Sequence, residues 1–396
     1  MTSTRYRIFL TANYSPWSPY SGGGQYSTHQ LASALSQLGH DVTVIFSKVP
    51  GEVIRVPANL TYQIEWAAFV GMKSSAFAPL RSLNTLTFFK KLRGLLKNDT
   101  TRLPMVVHSQ GEEAAFFSRL KKDFSFSLLS TPRQPLQEVI KTSGTQGWWR
   151  KRPKFMALAR TLREAQRFCP TSEKSAEEFL ACFDLDSRKL VVVPNGIHPA
   201  FLRVERKNSA ASGPIVFVGR LAKSKGIVQL VKAYEGLRGD SVPELHVVGR
   251  GPESVWIESF IQKHGLQNKV KLLGWQEPEH TAELLSHACM AALPSLEESF
   301  GNTVVEALAA GVPTVTTSAG SLAEIVGGKN IAKVISPENH EELQLAIQDL
   351  LDHPREAEVM ATRARDAIRP QYSWDATARR YVGLYDELFV SVGTEH

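Results

Sequence analysis

The chain has 396 residues, of which 43% are hydrophobic and 21% are charged, a composition typical of globular proteins and a length sufficient for two domains. No run of about 18 apolar residues occurs, which excludes a helix that spans a membrane. Cys169, Cys182 and Cys289 lie far apart without metal-ligand spacing, and the N-terminus leads directly into a strand, so we expect reduced thiols, no signal peptide and a cytosolic protein.

Charge is distributed unevenly along the chain. Residues 1–200 contain 26 lysines and arginines against 14 aspartates and glutamates, a balance of +12, whereas the remaining residues have 20 against 25, or −5. The basic half is expected to attract an acidic surface. The sequence has no recognisable nucleic-acid-binding motif. The charge pattern therefore favours the anionic inner face of a membrane over nucleic acid.

The first predicted unit is a strand at residues 6–10, a turn, a helix and a second strand at residues 42–46. Gly22, Gly23 and Gly24 lie in the turn, where they would permit a ligand to approach the backbone closely. They do not form the G-x-G-x-x-G fingerprint, and no acidic residue closes the second strand. A flexible turn is the alternative interpretation of this triplet.

Residues 67–97 interleave apolar side chains with cations, a pattern typical of a helix that lies in a bilayer interface. Tryptophan also favours that interface, so the stretch at residues 147–152 (G-W-W-R-K-R) is a second predicted contact. Alternatively, the apolar residues face the domain core and the cations are solvated. The apolar members are Phe69, Met72, Phe77, Leu80, Phe88, Phe89, Leu92, Leu95 and Leu96, and the cations are Lys73, Arg81, Lys90, Lys91, Arg93 and Lys97.

The second half alternates apolar runs with helical patterns, as chains with parallel sheets do. The segment V-V-V-P-N-G-I at residues 191–197 is predicted as a strand that ends in an Asn-Gly turn and marks a domain boundary. A last helix is predicted from residue 375 to about residue 390. The predicted strands of this half are Ile215–Val218, Leu245–Val248, residues 270–273, Met290–Leu293, Thr314–Thr317 and Lys333–Ile335.

Two motifs of the second half contain candidate functional residues. Arg220 and Lys225 follow a strand and precede a predicted helix at residues 226–237, an arrangement that suits a diphosphate. Residues 294–311 read P-S-L-E-E-S-F-G-N-T-V-V-E-A-L-A-A-G and place Glu298 and Glu306 around a helix that starts near residue 301. Its N–H groups would face an anionic, hydroxyl-rich ligand such as a sugar nucleotide. Alternatively, Glu298 caps the helix and Glu306 is solvated.

Together the motifs resemble those of the retaining glycosyltransferases of family 4, which are GT-B enzymes with a Glu-x7-Glu signature. The resemblance implies an α/β GT-B fold, with two Rossmann-like domains facing across a cleft. Residues 1–195 would form the acceptor-side domain, helix 375–396 would pack back on it, and residues 196–374 would bind the nucleotide sugar. The implied reaction transfers a hexose from a UDP- or GDP-sugar, rather than an ADP-sugar, to a glycan or lipid-linked acceptor with retention of configuration.

The resemblance also implies roles for individual residues. Arg220 and Lys225 would stabilise the diphosphate, Glu298 would hold the sugar and Glu306 the ribose, while the glycine triplet would lie over the donor. No metal is expected, because the cations neutralise the diphosphate. Further donor-binding candidates lie in turns after strands or at the helix start. Alternatively, Arg250 and Gly251 form a plain tight turn and Trp275 serves packing. The full set is Arg250, Gly251, Gly274, Trp275, Phe300, Gly301, Asn302 and Thr303.

The chain departs from the family on the acceptor side. Family members carry a histidine where this chain has Arg133, in L-L-S-T-P-R-Q-P. Arginine cannot accept a proton, but it can bind an anion or a hydroxyl group. His108 ends the preceding strand and is a second acceptor-side candidate, with a hydrogen-bonded structural histidine as the alternative. A GT-B-like sugar-nucleotide epimerase and a catalytically silent partner subunit remain alternative functions.

Overall fold

The computed structural model of the chain describes residues 4–19, 23–69, 83–133, 148–239 and 242–390. The chain divides into two compact units, one formed by Met1–Gly196 with Trp374–His396 and the other by Ile197–Ser373. Each unit is built around a six-stranded sheet in which every observed pairing is parallel. The predicted doubly wound α/β architecture is thus present twice.

The first sheet has the strand order β3-β2-β1-β4-β5-β6. All six residues of β1 are buried, as expected for the central strand of a parallel sheet that is covered on both faces. The strands are β1 Arg7–Ala12, β2 Asp41–Lys48, β3 Gln63–Ala68, β4 Met105–Ser109, β5 Ser127–Ser130 and β6 Arg167–Phe168, and the helices are α1 Gly23–Gln37, α2 Asn84–Asn98, α3 Trp148–Glu164 and α4 Glu173–Cys182.

The second sheet has the order β12-β11-β10-β7-β8-β9, which is the same Rossmann topology. Its core is formed by apolar runs such as β7 and β10 together with the inner faces of the helices. The strands are β7 Ile215–Val218, β8 Leu245–Val248, β9 Val270–Gly274, β10 Met290–Leu293, β11 Thr314–Thr317 and β12 Lys333–Ile335, and the helices are α5 Pro199–Arg203, α6 Ile227–Glu235, α7 Ser254–Lys263, α8 Pro278–His287, α9 Asn302–Ala309, α10 Leu322–Val326, α11 His340–Asp352 and α12 Pro354–Ile368.

Each sheet contains one switch point, where two neighbouring strands are followed along the chain by strands on opposite sides of the pair. In the first sheet it lies between β1 and β4, and in the second it lies between β7 and β10. Loops that leave two such neighbouring strands turn to opposite faces of the sheet, which opens a crevice at the carboxyl ends of the strands. Ligands of open α/β sheets bind in this crevice, so the fold itself directs attention to these two pairs of loops.

The last helix, α13 Trp374–Val390, belongs to the first unit and encloses His108. The histidine ring is fully buried, with Nδ1 2.9 Å from the hydroxyl of Tyr385 and Nε2 2.8 Å from Oγ1 of Thr131. Burial, reinforced by the nearby charge of Arg133, lowers the pKa of His108 to about 3. Because both ring nitrogens are engaged inside the core, His108 is a structural residue, and its interpretation as an acceptor-side group is wrong.

Residues 191–197 do not form the predicted strand. The segment is extended, and the N–H groups of Val191 and Val193 donate to the carbonyl oxygens of Phe168 and Pro170. Only isolated bridges at Leu190 and Ile197 flank it. Pro170 has no N–H group to donate back to the carbonyl oxygen of Val191, so the parallel ladder is interrupted and the apolar run does not become a strand.

Helix α2 corrects the interpretation of the part of the stretch 67–97 that lies at residues 84–97. Its apolar face, with Phe88, Leu92 and Leu96, is buried in the core of the first unit, so it is not available to a bilayer. Among the cations, Lys90, Arg93 and Lys97 are exposed, and Lys91 pairs with Glu65 at 2.8 Å. Met72, Lys73, Phe77, Leu80, Arg81, Gly147 and the side chains of residues 148–152 lie outside the described residues.

Candidate functional site

The loops after β7 and β10 meet at the switch point of the second sheet. Gly226 adopts a left-handed φ of 70°, and a Cβ atom there would lie 1.8 Å from the carbonyl oxygen of Pro294. The N–H of Leu296 donates to the carbonyl oxygen of Ser224 at 2.8 Å. A glycine is therefore required for the two loops to come together, and their contact carries Lys225 toward Glu298.

Lys225 and Glu298 form an ion pair at this point. The Nζ atom of Lys225 lies 2.5 Å from Oε1 of Glu298, and the hydroxyl of Ser295 donates to the same oxygen at 2.9 Å. Glu298 is only 8% exposed. Within the described residues, its Oε2 atom has no hydrogen-bond partner. The pair therefore presents a fixed carboxylate oxygen and a partly exposed ammonium group side by side, which suits a ligand that combines hydroxyl groups with an anion.

Arg220 is placed differently from Lys225. Its guanidinium group is exposed, and it has no ion-pair partner in the part of the chain that the structure describes. Its backbone is nevertheless held, because the N–H of Leu221 donates to the carbonyl oxygen of Arg250 at 3.0 Å. An unpaired guanidinium group on an anchored loop can take two oxygens of a phosphate group without first breaking an ion pair.

Helix α9 begins at the same edge of the sheet. Its first turn follows Gly301, which has a φ of 84°. A Cβ atom added to this glycine would lie 2.4 Å from Cδ2 of Leu322. No side chain caps this helix, and Oδ1 of Asn302 is buried without a partner. Thr303 is half-buried, whereas the ring of Phe300 packs at 5.8 Å against Tyr372. The uncapped N–H groups are candidates to bind an anion, whereas Phe300 packs within the second unit.

Glu306 lies one turn into α9. Its carboxyl group has no hydrogen-bond partner within the described residues, and burial raises its pKa to about 8. A carboxyl group held in such surroundings gains from a ligand hydroxyl that donates to it. The contact of Glu306 with a ribose stays a prediction.

The raised pKa of Glu306, a half-buried residue of α9, predicts a pH-dependent stability. Its pKa is raised from 4.5 to about 8, so the folded protein keeps a proton that the unfolded chain releases between these values. We expect Glu306→Gln to gain stability relative to the wild type as pH rises from 5 to 8. Thermal unfolding at a series of pH values measures this difference, and parallel curves for the two proteins would contradict it.

The remaining donor-side candidates lie along the carboxyl ends of β8 and β9. The guanidinium group of Arg250 is exposed and lies 3.8 Å from the Cβ position of Gly274, and Gly251 follows in the turn before α7. Trp275 is 52% exposed, so it does not pack into the core. The structure thus places all of these residues on one edge of the second sheet, next to Arg220.

A second group of polar residues surrounds a cavity of about 250 Å³ in the first unit, at the switch point between β1 and β4. Gly24 and Arg133 both line it, and a Cβ atom at Gly24 would lie 3.7 Å from Cβ of Arg133. Gly23 begins α1, and Gly22 lies outside the described residues. Burial lowers the pKa of Arg133 to about 10. Its side chain donates to Oε1 of Gln110 at 2.6 Å and to Oδ1 of Asn195.

Sequence reasoning missed most residues of this cavity, including polar residues that follow β1 and β4. Asn13 follows β1, and Gln110, Glu112 and Glu113 follow β4. Glu113 is buried, and its pKa is raised to about 8 by burial and by the neighbouring charge of Glu112. The signal was available, because polar residues that end two adjacent central strands meet at the sheet edge. It is a weak signal until the strand order is known.

No cluster of three or more histidine, cysteine, aspartate or glutamate side chains able to hold a metal occurs among the described residues. Among the same residues, every helix is too short or too polar to cross a membrane.

Comparisons with known proteins cover both units. Residues 21–201 match the family model described as Glycosyltransferase Family 4, and residues 204–367 match the model described as Glycosyl transferases group 1. A similar curated protein is the MMP alpha-(1->4)-mannosyltransferase of Mycolicibacterium hassiacum, which is 28% identical over 276 residues and is aligned over 67% of each chain.

Solved structures extend the likeness to the whole fold. Sucrose-phosphate synthase from Thermosynechococcus elongatus superposes with a TM-score of 0.78 at 22% identity, covering 98% of this chain and 100% of that one. Anabaena HepE in complex with UDP-glucose gives a TM-score of 0.71 at 17% identity, covering 97% and 99%. At these identities the likeness establishes the fold alone, and it confirms the predicted GT-B class.

Proposed function

We propose that this chain, which carries a family 4 glycosyltransferase domain followed by a group 1 glycosyl transferase domain, transfers a hexose from a nucleoside-diphosphate sugar with retention of configuration. The observation that carries the proposal is the grouping of Arg220, the Lys225–Glu298 pair and the start of α9 at one switch point. A diphosphate needs the cations and N–H groups, and a sugar needs the carboxylate. The HepE complex with UDP-glucose supports a donor of this class.

In the proposed reaction, the bond between the anomeric carbon of the sugar and the oxygen of the β-phosphate breaks. The electron pair stays on that oxygen, and the sugar passes through a state with oxocarbenium character. Arg220, Lys225 and the N-terminal end of α9 would stabilise the growing negative charge on the diphosphate. The acceptor hydroxyl then bonds to the anomeric carbon on the face that the phosphate leaves, and its proton passes to the departing phosphate. Configuration is retained without a covalent protein intermediate.

Within this proposal, Glu298 positions the sugar through the carboxylate oxygen that the protein leaves unpaired, and Glu306 receives a ribose hydroxyl. Arg250, Gly251, Gly274 and Trp275 lie on the edge where a nucleobase would extend from the diphosphate. No residue is required to bind a metal, because the two cations and the helix already meet the charge of the diphosphate.

The donor is tested by thermal unfolding of the purified protein with UDP-, GDP- and ADP-sugars. A ligand at about one hundred times its dissociation constant adds roughly 2.7 kcal/mol to the free energy of unfolding. We expect a UDP- or GDP-sugar to raise the melting temperature and an ADP-sugar to have less effect. The same shift in Arg220→Ala, or no shift with any of these sugars in the wild type, would contradict the proposed site.

We propose a glycan or lipid-linked acceptor at the surface of an anionic membrane, on the basis of charge alone. Because the apolar face of α2 is buried, any contact would depend on its exposed cations, which contribute about 1 kcal/mol each near an anionic surface. The double change of Lys90 and Arg93 to Glu should reduce sedimentation with anionic vesicles at low salt by at least about tenfold. Changing the exposed Lys263 and Lys269 of the second unit to Glu is the matched control. A wild-type protein that stays in the supernatant would remove the membrane from the proposal.

A further inference from the structure

The segment that carries Glu298 is held by the loop that follows β11. The hydroxyl of Thr317, the last residue of β11, donates to the carbonyl oxygen of Ser295 at 2.5 Å. The N–H of Ser321 donates to the carbonyl oxygen of Glu298 at 3.2 Å. Gly320 has a left-handed φ of 57°, and a Cβ atom there would lie 2.0 Å from the same oxygen of Glu298. The loop after β11 therefore fixes this segment at two points, three residues apart.

The side chain of Ser295 carries this fixation to the carboxylate. Ser295 is only 3% exposed, and its hydroxyl donates to Oε1 of Glu298 at 2.9 Å. Nζ of Lys225 contacts the same oxygen at 2.5 Å, from the loop after β7. Two donors from two different loops hold Oε1, so the carboxylate cannot turn freely about its last bond. Its orientation is thus determined by the protein before any ligand binds.

The hydroxyl of Ser295 matters most when Lys225 has a second partner. In the proposed function, the ammonium group of Lys225 also contacts the diphosphate. Any movement of that group toward the phosphate oxygens would weaken its bond to Glu298, and a buried carboxylate without a partner is costly. Ser295 is neutral and does not compete for the phosphate, so its hydrogen bond can keep the carboxylate in place while Lys225 is shared.

We propose that Ser295 and Thr317 are positioning residues for Glu298. Ser295 acts directly on the carboxylate, and Thr317 acts through the backbone of Ser295. The inference rests on the proposed function, because that function gives Glu298 the sugar to hold. If the two hydroxyl groups only satisfied buried polar atoms, their loss would lower stability without a specific effect on the reaction.

Thr317→Val separates these roles, and Thr314→Val is its matched control. Thr314 begins the same strand, is fully buried and donates its hydroxyl to the carbonyl oxygen of Val312 at 2.8 Å. Both changes remove a buried hydroxyl at nearly constant shape, so both should lower the melting temperature. We expect Thr317→Val and Ser295→Ala to lower kcat about tenfold with unchanged affinity for the nucleoside diphosphate, whereas Thr314→Val should keep kcat. Thr317→Ser, which retains the hydroxyl, should restore turnover.

A double-variant cycle shows whether the effect passes through Glu298. In a Glu298→Ala background, Ser295→Ala should lower turnover no further, because the group that it positions is already absent. The inference is overturned by a second tenfold loss in that background. It is equally overturned if Thr317→Val and Thr314→Val have the same kcat.

Crystal structures of Ser295→Ala and Thr314→Val without substrate give a result that does not depend on turnover. The carboxylate of Glu298 should be turned, or should occupy more than one conformation, in Ser295→Ala and should keep its place in Thr314→Val. An unmoved carboxylate in Ser295→Ala would refute the inference, even if the wild type transfers a sugar. A wild type that turns over no nucleotide sugar would refute the proposed function instead, and the carboxylate would still show whether Ser295 fixes it.

Discussion

Replacing Arg220 or Lys225 by alanine is expected to lower turnover by about 10²–10³-fold, the cost of removing one preorganised group that stabilises developing charge. Arg220 is unpaired within the described residues, so its loss should leave the melting temperature unchanged. Lys225→Ala also leaves the buried carboxylate of Glu298 with the hydroxyl of Ser295 alone, so this variant should lose stability as well. Initial rates with the donor found by the thermal screen measure the first effect, and calorimetry measures the second.

Lys223 provides the matched control, because it is exposed in the same turn and makes no contact with Glu298. Lys223→Ala should retain nearly full turnover. A residual activity above roughly one tenth of wild type in Arg220→Ala or Lys225→Ala would be too high for a diphosphate contact that acts in the transition state. Equal losses in all three variants would indicate a general effect of positive charge rather than a specific pair of cations.

The second expected result concerns Glu298→Gln and Glu306→Gln, which should both reduce turnover for different reasons. Glu298→Gln keeps the shape of the side chain but removes the charge that pairs with Lys225, so the rate should fall about a hundredfold. The affinity for the nucleoside diphosphate should change little, because the product carries no sugar. Glu306→Gln should weaken the binding of the nucleoside diphosphate by about tenfold, since the proposed partner of Glu306 is the ribose.

Titration calorimetry with the nucleoside diphosphate separates the two roles, and an equal loss of affinity in both variants would overturn the division. The ion pair adds a further expectation. Because Lys225 and Glu298 lie 2.5 Å apart, their effects on turnover should be strongly non-additive in the double variant. Independent effects would mean that the two groups do not act as a unit.

The second sheet could be predicted almost completely from the sequence. Strands β7, β8, β10, β11 and β12 have the predicted bounds. Each is a short run rich in apolar or β-branched residues between turn residues, which is the pattern expected of strands in a parallel sheet. The start of α9 was also predicted, because a glycine followed by a helical pattern is a strong local signal. The local sequence therefore predicted the loops after β7 and β10 that meet at the switch point, whereas the donor contacts of their residues stay a prediction.

Features that depend on distant parts of the chain could not be predicted. His108 is enclosed by Tyr381 and Tyr385 on the last helix. The residues next to His108 in the sequence do not indicate these contacts. The apolar pattern of α2 is the same whether the helix packs on its own domain or on a bilayer. Likewise, the Lys225–Glu298 pair depends on how the loops after β7 and β10 meet at the sheet edge, and the strand order determines that meeting.

The proposal as a whole is tested most directly by following the donor itself by NMR, with water or a methyl glycoside as acceptor. The account predicts that the wild type releases the nucleoside diphosphate and that the newly formed sugar product first appears with the anomeric configuration of the donor. Arg220→Ala should do so at least about a hundred times more slowly. A donor that stays intact, one that is converted to an epimeric nucleotide sugar, or a product of inverted configuration would contradict the account.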